Sequence, residues 1–121
     1  MLERMPVRTV WHNGRFIPEA DAKIHIYDSA LMFGDMCFEM MRTFNKQTFK
    51  LWEHFERLFK SLKILEIEIP YTFYELFNAH ENLILHNRNE FAEDDEIRTL
   101  INVSRGTLPI YQPLIGGGEP N

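Results

Sequence analysis

Residues 52–65, WEHFERLFKSLKIL, decide the fold of this chain. Apolar side chains recur there every three or four residues, which is the spacing of one face of an α-helix. The apolar positions of this stretch and its flank are Leu51, Trp52, Phe55, Leu58, Phe59, Leu62 and Leu65. The spacing predicts an amphipathic helix from about Trp52 to Leu65, whose apolar face other elements must cover.

A second helix is predicted after Pro70. Thr72 can cap its first turn, with Glu75 three residues later as the partner of a capping box. Its apolar side comprises Phe73, Leu76, Phe77, His80, Leu83 and Ile84. The helical pattern fades at 87–89, and a charged loop at 93–96, interpreted as solvated, leads to a final strand at 97–104.

The residues before the first helix alternate between apolar and polar, which is typical of strands. Asn13-Gly14 predicts a tight hairpin between two short strands. Alternation returns over 22–27, with Ile24 and Ile26 on one face.

Residues 36–44 also alternate, although their Met and Glu content would suit a helix. A turn at 45–47 and a short return over 48–51 favour a strand pair. Strands followed by two helices and a strand predict an α+β fold, with an antiparallel β-sheet and two helices packed on it.

The composition excludes several classes of protein. The 121 residues carry a formal net charge of −5, which argues against a nucleic-acid-binding module. The single cysteine excludes an internal disulfide framework. Residues 1–6 do not resemble a secretory leader, and the apolar runs are too short to span a membrane, so we expect a cytoplasmic protein.

Few side chains form a recognisable chemical cluster. His54, His80 and His86 lack the four-residue spacing of helical metal ligands, so they are interpreted as partly exposed polar positions, and no metal site is expected. Cys37 has no basic neighbour in the sequence and is interpreted as a buried, inert thiol. Arg57 lies in a polar stripe with His54, where it could bind an anion such as a phosphate. The alternative is a surface arginine paired with Glu53.

Two longer motifs resemble one family. Residues 28–42, DSALMFGDMCFEMMR, resemble the N-terminal motif of class IV aminotransferases, the fold-type-IV pyridoxal-phosphate enzymes. Residues 53–63, EHFERLFKSLK, resemble the family's helix motif, and 13–14 with 21–23 fall where the family has its opening hairpin. The resemblance covers about residues 7–107 and implies the small N-terminal domain of these enzymes, which include branched-chain and D-amino-acid aminotransferases and aminodeoxychorismate lyases.

The resemblance implies roles for five residues. Arg57 would bind the phosphate of pyridoxal 5'-phosphate. Phe33 stands where branched-chain enzymes carry a substrate-facing tyrosine, and Phe38 and Arg42 would line the substrate pocket. Arg98, in Ile-Arg-Thr, resembles the arginine of the Ile-Arg-Pro segment of branched-chain enzymes.

The segment after the last strand bears on the substrate. Residues 103–106, Val-Ser-Arg-Gly, resemble the D-amino-acid and lyase branches more than the branched-chain branch. In the D-amino-acid enzymes an arginine and a histidine then follow to bind the α-carboxylate. Ile110 and Gln112 stand at those positions and cannot supply that charge, so a D-amino-acid substrate is disfavoured.

The family's Schiff-base lysine lies in a second domain, and none of Lys23, Lys46, Lys50, Lys60 and Lys63 matches it. We therefore expect residues 1–114 to be the small domain, residues 115–121 to begin an interdomain linker, and the chain alone to be inactive. The expected whole enzyme is a homodimer that moves an amino group between a branched-chain or similar L-amino acid and a 2-oxo acid. An aminodeoxychorismate lyase releasing pyruvate and a non-catalytic binding or assembly module are the alternatives.

Overall fold

The computed structural model describes residues 7–115. Its elements, in chain order, are β1 Thr9–His12, β2 Arg15–Pro18, α1 Ser29–Phe33, β3 Met36–Phe44, β4 Gln47–Thr48, α2 Leu51–Leu65, α3 Phe73–His86, β5 Arg98–Ser104 and α4 Gln112–Ile115, with short 3-10 turns at Glu19–Asp21 and Arg88–Glu90. The α+β class with antiparallel pairing is confirmed.

The antiparallel strands form two sheets rather than one. β1 and β2 form a hairpin by themselves, and the second sheet has the order β4-β3-β5. Asn13 and Gly14 close the hairpin with φ of 50° and 90°, the left-handed conformation that a two-residue hairpin turn needs. In the second sheet β3 pairs with β5 from Met36 opposite Ser104 to Arg42 opposite Arg98.

The core lies between the second sheet and the two long helices. Alternate residues of a strand face opposite sides of the sheet, and Glu39, Met41 and Thr43 are the buried set of β3. Helix α2 packs on β3, and α3 packs on β1. The buried hydrophobic residues are Met41, Phe55, Leu58, Leu62, Ile67, Leu76 and Val103.

Both predicted helices are confirmed almost to the residue. The Thr72 hydroxyl accepts a hydrogen bond from the backbone N–H of Glu75 at 3.1 Å and donates to the Glu75 carboxylate at 3.2 Å, so Thr72 caps α3 with Glu75 as its partner. Helix α2 starts one residue before the predicted Trp52. Its start has no side-chain cap, and Lys50 before it has a φ of 52°.

Asn87 connects the hairpin to the end of α3. Its side-chain oxygen accepts a hydrogen bond from the backbone N–H of Thr9 at 2.8 Å, and its side-chain nitrogen donates to the Thr9 carbonyl at 2.8 Å. The same nitrogen donates to the carbonyl of Leu83 at 2.9 Å. A single buried amide therefore fixes β1 to α3 across 78 positions of sequence.

Two sequence interpretations are wrong. Residues 22–27 form no strand, because no neighbouring strand pairs with them, and Ile24 and Ile26 are exposed. The loop at 93–96, by contrast, is exposed at all four positions, as expected of a solvated loop, and its Glu96 carboxylate also accepts hydrogen bonds from the Thr43 hydroxyl and from the backbone N–H of Asn45.

His80 is the second correction, because it is only 4% exposed. Its Nε2 lies 2.9 Å from the hydroxyl of Thr99 on β5, and its Nδ1 lies 3.3 Å from the Glu81 carboxylate. Burial lowers the pKa of the His80 imidazole, while Glu81 acts in the opposite direction. His54 is partly buried and His86 is exposed, as expected of both.

This burial predicts a pH dependence of stability. Below about pH 6.5 the unfolded chain binds a proton at His80 before the folded chain does, so the free energy of unfolding falls as the pH drops from 7 towards 5.5. The slope from one such group approaches about 1.4 kcal/mol per pH unit. Urea unfolding at pH 7 and at pH 5.5 measures this fall in the free energy of unfolding. We expect His80→Gln to reduce the loss and His86→Gln to leave it unchanged; an equal loss in wild type and His80→Gln would contradict the prediction.

The ends of the chain lie outside the described residues. They are residues 1–6 and 116–121. The predicted linker at 115–121 therefore lies outside the described residues except for Ile115, which is the last residue of α4. Among residues 7–115, no helix is both long and apolar enough to cross a membrane.

Candidate functional site

Arg57 and Glu39 form the strongest polar contact of the α2–β3 layer. Arg57 donates from Nε to Glu39 Oε2 at 2.8 Å and from Nη2 to Oε1 at 2.7 Å, which is the two-pronged geometry that a guanidinium and a carboxylate prefer. The Glu39 side chain is 6% exposed and that of Arg57 is 66% exposed. The buried carboxylate therefore holds one edge of a guanidinium that still faces solvent.

His54 contacts the same carboxylate. Its Nδ1 lies 2.7 Å from Glu39 Oε1 and 3.5 Å from Arg57 Nη2. Hydrogen bonds from Arg57 hold the pKa of the Glu39 carboxyl below its usual range; burial opposes that shift, and His54 adds to it. Glu39 is therefore an ionised anchor at neutral pH, and the sequence alternative that pairs Arg57 with Glu53 is wrong.

The solvent-facing side of this cluster is a groove of about 300 Å³ lined by Lys50, Glu53, His54 and Arg57. A guanidinium has five N–H donors, and Arg57 uses Nε and Nη2 within the described residues. Its Nη1 donors make no hydrogen bond in this part of the chain, so they can contact an anion in the groove. Lys50 adds a second cation there.

The residues present fit a phosphate group. A phosphate is bound best by a guanidinium that is already oriented, and Glu39 orients Arg57 without using its Nη1 donors. No group of three or more His, Cys, Asp or Glu side chains in residues 7–115 is arranged to hold a metal ion. The groove itself has two cations, Lys50 and Arg57, against one carboxylate, Glu53, and this balance favours an anionic ligand.

Three of the predicted substrate residues share one exposed sheet face. Phe38 and Arg42 lie on β3, and Arg98 lies directly opposite Arg42 on β5. The Arg42 guanidinium carbon lies 4.1 Å from the centre of the Phe44 ring, and its Nε donates to the carbonyl of Thr43 at 3.2 Å. Like charges opposite each other repel, so this arginine pair favours an anion between its guanidinium groups.

The surroundings of the arginine pair are apolar. Phe38, Met40 and Leu100 are exposed on the same face. Phe33 is also exposed, as the last residue of α1 before Gly34 turns the chain with a φ of 69°. The face thus combines two cations with a broad apolar surface.

Arg57 does not lie with Phe38, Arg42 and Arg98. It contacts Glu39, which faces the side of β3 opposite to Phe38 and Arg42. The structure therefore brings Phe38, Arg42 and Arg98 together and places Arg57 across the strand from them.

Glu39 is the site residue that sequence reasoning missed as a functional position. Its signal was its place in the alternation of β3, since a charged residue on the buried side of a strand must have a partner. The partner lies 18 positions away on another element, so no local spacing reveals it.

Other residues of the 28–42 motif hold the chain together. The Asp28 carboxylate caps α1 by accepting from the N–H of Ala30 at 2.9 Å, and it accepts from the Ser104 hydroxyl at 2.6 Å. Asp35 accepts from Arg105 Nε at 2.6 Å, and Arg105 also donates to the carbonyl of Leu65 at the end of α2. These contacts fix the end of the β3–β5 pair at which Met36 faces Ser104.

Cys37 shows no sign of activation. It is half-buried and free, and burial, with Glu39 adding, raises the pKa of its thiol. The thiolate, which is the nucleophilic form, is therefore disfavoured at neutral pH.

Comparison with known proteins gives a consistent answer. The family model for amino-transferase class IV matches residues 36–116. A probable branched-chain-amino-acid aminotransferase of Rickettsia typhi is 40% identical over 108 residues, which are 89% of this chain and 36% of that protein. A D-alanine aminotransferase of Staphylococcus epidermidis is 35% identical over 78 residues, which are 64% of this chain and 28% of that protein.

A solved structure has the same fold. The T.th. branched-chain amino acid aminotransferase, complexed with N-(5'-phosphopyridoxyl)-L-glutamate, superposes with a TM-score of 0.75 at 26% sequence identity. The match covers 97% of this chain and 39% of that one. The chain thus spans well under half the length of the relatives it matches.

Proposed function

The chain belongs to the class IV aminotransferase family, and from that premise we propose that it is the first domain of a pyridoxal-phosphate-dependent branched-chain aminotransferase. The whole enzyme moves an amino group from a branched-chain or similar L-amino acid to a 2-oxo acid. Residues 1–114 form this domain, and the segment from 115 onward leads into the domain that carries the imine-forming lysine. The enzyme is cytoplasmic and works as a homodimer.

One observation carries the cofactor part of this proposal. Arg57 is held on one edge by the buried Glu39 carboxylate and keeps its Nη1 donors directed at no other group of the described chain. It therefore binds the cofactor phosphate without first having to be ordered, and Lys50 in the same groove adds positive charge. The bound cofactor supplies an electron-accepting ring that stabilises negative charge at the α-carbon of the substrate.

The exposed sheet face supports the part of the proposal that concerns substrate binding. The facing Arg42 and Arg98 bind a carboxylate of the amino acid or oxo acid, because an anion between them relieves their repulsion. Phe38, with Met40 and Leu100 beside it, receives an apolar side chain such as that of leucine or valine. Phe33 borders the same substrate side and offers an aromatic ring without a hydroxyl group.

An amino-donor screen on the complete polypeptide that carries this chain tests the function. With 2-oxoglutarate as acceptor, we expect glutamate to form with L-leucine, L-isoleucine and L-valine, and D-alanine to be a poor donor. No glutamate with any of these donors would refute the proposal. A D-alanine rate above the L-leucine rate would assign the enzyme to the D-amino-acid branch, and pyruvate release from aminodeoxychorismate would assign it to the lyase branch.

A further inference from the structure

The arginine pair proposed to bind the substrate carboxylate lies at the end of a strand ladder. Arg42 facing Arg98 is the last pair of the β3–β5 register. The ends of a ladder open more readily than its centre, and like charges placed opposite each other push the two strands apart. The separation of the two arginines therefore depends on contacts beyond the ladder itself.

The Glu96 carboxylate supplies such contacts just before β5 begins. It accepts a hydrogen bond from the Thr43 hydroxyl near the end of β3. In the turn that follows β3 it also accepts from the backbone N–H of Asn45 at 2.9 Å and from that of Lys46 at 3.4 Å. Three donors from one strand end thus meet a single carboxylate beside the start of the other strand. These four residues form the Glu96 clamp.

Thr43 links the same two segments a second time. Its hydroxyl accepts from the backbone N–H of Ile97 at 2.8 Å, and its own backbone N–H donates to the Ile97 carbonyl at 2.9 Å. Thr43 is only 2% exposed, so it is fixed in the packed layer beneath the sheet. The clamp is therefore anchored in the core and does not depend on surface contacts alone.

The turn of the clamp needs these hydrogen bonds. Asn45 and Lys46 have φ of 51° and 65°, a left-handed conformation that is costly for residues other than glycine, and Glu96 holds the N–H groups of both. The hydrogen bond from Thr43 lowers the pKa of the Glu96 carboxyl; burial opposes that shift, and the N–H groups of Lys46 and Asn45 add to it. Glu96 is therefore an ionised acceptor at neutral pH.

The Arg42 side chain rests on residues that the clamp holds in place. Its Nε donates to the Thr43 carbonyl at 3.2 Å, and its guanidinium carbon lies 4.1 Å from the centre of the Phe44 ring. Arg98, in turn, follows Glu96 by two positions in the chain. Loosening the clamp therefore moves the two guanidinium groups relative to each other.

We propose that Glu96 is a positioning residue for the substrate: through the clamp it sets the separation of Arg42 and Arg98, and so the fit of a carboxylate between them. This inference rests on the proposed function, which assigns a substrate carboxylate to these two arginines. Glu96 acts through the arginines and not by contact with the substrate, because its own negative charge repels a carboxylate.

Calorimetric titration of the complete, cofactor-loaded polypeptide that carries this chain with 3-methylbutanoate tests the inference. This probe is valine without its amino group, so it offers a branched chain and a carboxylate but no amine that could react. We expect Glu96→Ala to weaken its binding about tenfold, because the arginines lose their fixed separation. Glu93→Ala, in the same exposed loop, is the matched control and should bind the probe as wild type does. Wild-type affinity in Glu96→Ala would overturn the inference.

A double variant distinguishes positioning from a general loss of structure. Without Arg98 there is no pair to align, so in an Arg98→Ala background Glu96→Ala should weaken binding less than about twofold further. Cofactor affinity should stay at the wild-type level in Glu96→Ala, because Arg57 lies across β3 from the pair. Additive losses of probe affinity, or a fall in cofactor affinity, would refute the positioning role.

A second pair of variants applies if Glu96→Ala does not fold. Thr43→Val removes the hydroxyl that donates to Glu96 and should weaken probe binding, whereas Thr43→Ser keeps a hydroxyl there and should bind the probe as wild type does. Equal affinities of the valine and serine variants would overturn the inference.

The amino-donor screen and this titration can fail separately. Glutamate formation, together with an unaffected Glu96→Ala, refutes the positioning role and leaves the proposed function in place. No glutamate formation, together with probe binding that depends on Glu96, refutes the proposed function and keeps a positioned carboxylate site. A wild type that does not bind the probe refutes the positioning role whatever the screen shows.

Discussion

Replacing Phe55 by alanine is expected to lower the free energy of unfolding by about 4 kcal/mol, because the substitution leaves a cavity that the surrounding side chains cannot fill. Phe55 is 0% exposed, and its ring packs against those of Phe73, Phe77 and His80 at centre distances of 5.9, 5.5 and 5.8 Å. It joins α2 to α3, so its loss affects the whole layer. A domain of this size has about 5–15 kcal/mol of stability, and the variant is expected to be close to unfolding.

Urea unfolding followed by circular dichroism measures this effect. Tyr74→Ala is the matched control, because Tyr74 is a largely exposed aromatic residue of α3 and its loss should cost less than about 1 kcal/mol. Phe55→Leu keeps most of the volume and should fall between the two. A loss below about 1.5 kcal/mol for Phe55→Ala would show that the α2–α3 contact is not the centre of the core.

Replacing Arg57 by alanine in the complete polypeptide is expected to weaken pyridoxal-phosphate binding about 30-fold, which corresponds to about 2 kcal/mol. The variant loses the charge-assisted contact to the phosphate and leaves the Glu39 carboxylate buried without its main donor. Arg57→Lys keeps the charge but cannot make the two-pronged contact, so it should recover only part of the affinity. Equilibrium titration of the cofactor, followed by its absorbance, measures all three proteins.

Glu39→Gln tests how much the orientation of Arg57 by Glu39 contributes to cofactor binding, apart from the contact that Arg57 itself makes with the phosphate. The amide keeps the shape of the side chain but can no longer pair as an anion with Arg57, so we expect a smaller loss of cofactor affinity, about fivefold. Arg88→Ala, a change at an exposed arginine beyond the end of α3, is the control and should have no effect. If Arg57→Ala binds the cofactor as wild type does, the phosphate role is wrong whatever the donor screen shows.

The helices were predictable because the residues that determine them lie close together in the sequence. The spacing of Phe55, Leu58 and Leu62 within α2, and the capping pair of Thr72 and Glu75, lie within a few residues of each other. The hairpin follows in the same way from Asn13-Gly14, two residues that adopt positive φ.

The long-range contacts of the site and of the core were not predictable from spacing. The pairing of Glu39 with Arg57 and that of His80 with Thr99 join elements 18 and 19 positions apart, and only the packing of α2 and α3 on the sheet creates them. Residues 22–27 show the opposite case: they have a strand-like pattern but no strand beside them, and a strand needs that neighbour. Motif resemblance singled out Arg57 as a candidate for phosphate binding but did not reveal Glu39, which orients it.

The Asn87 amide has a consequence for how the hairpin meets other proteins. The outer edge of β1 is a row of peptide groups that another extended chain could join, as happens in aggregation and strand exchange. At Thr9 both peptide groups are already occupied, because one side chain donates to the carbonyl and accepts from the N–H as a neighbouring strand would. Asn87 thus acts as a one-residue substitute for a strand, and it blocks this end of β1 against edge-to-edge association.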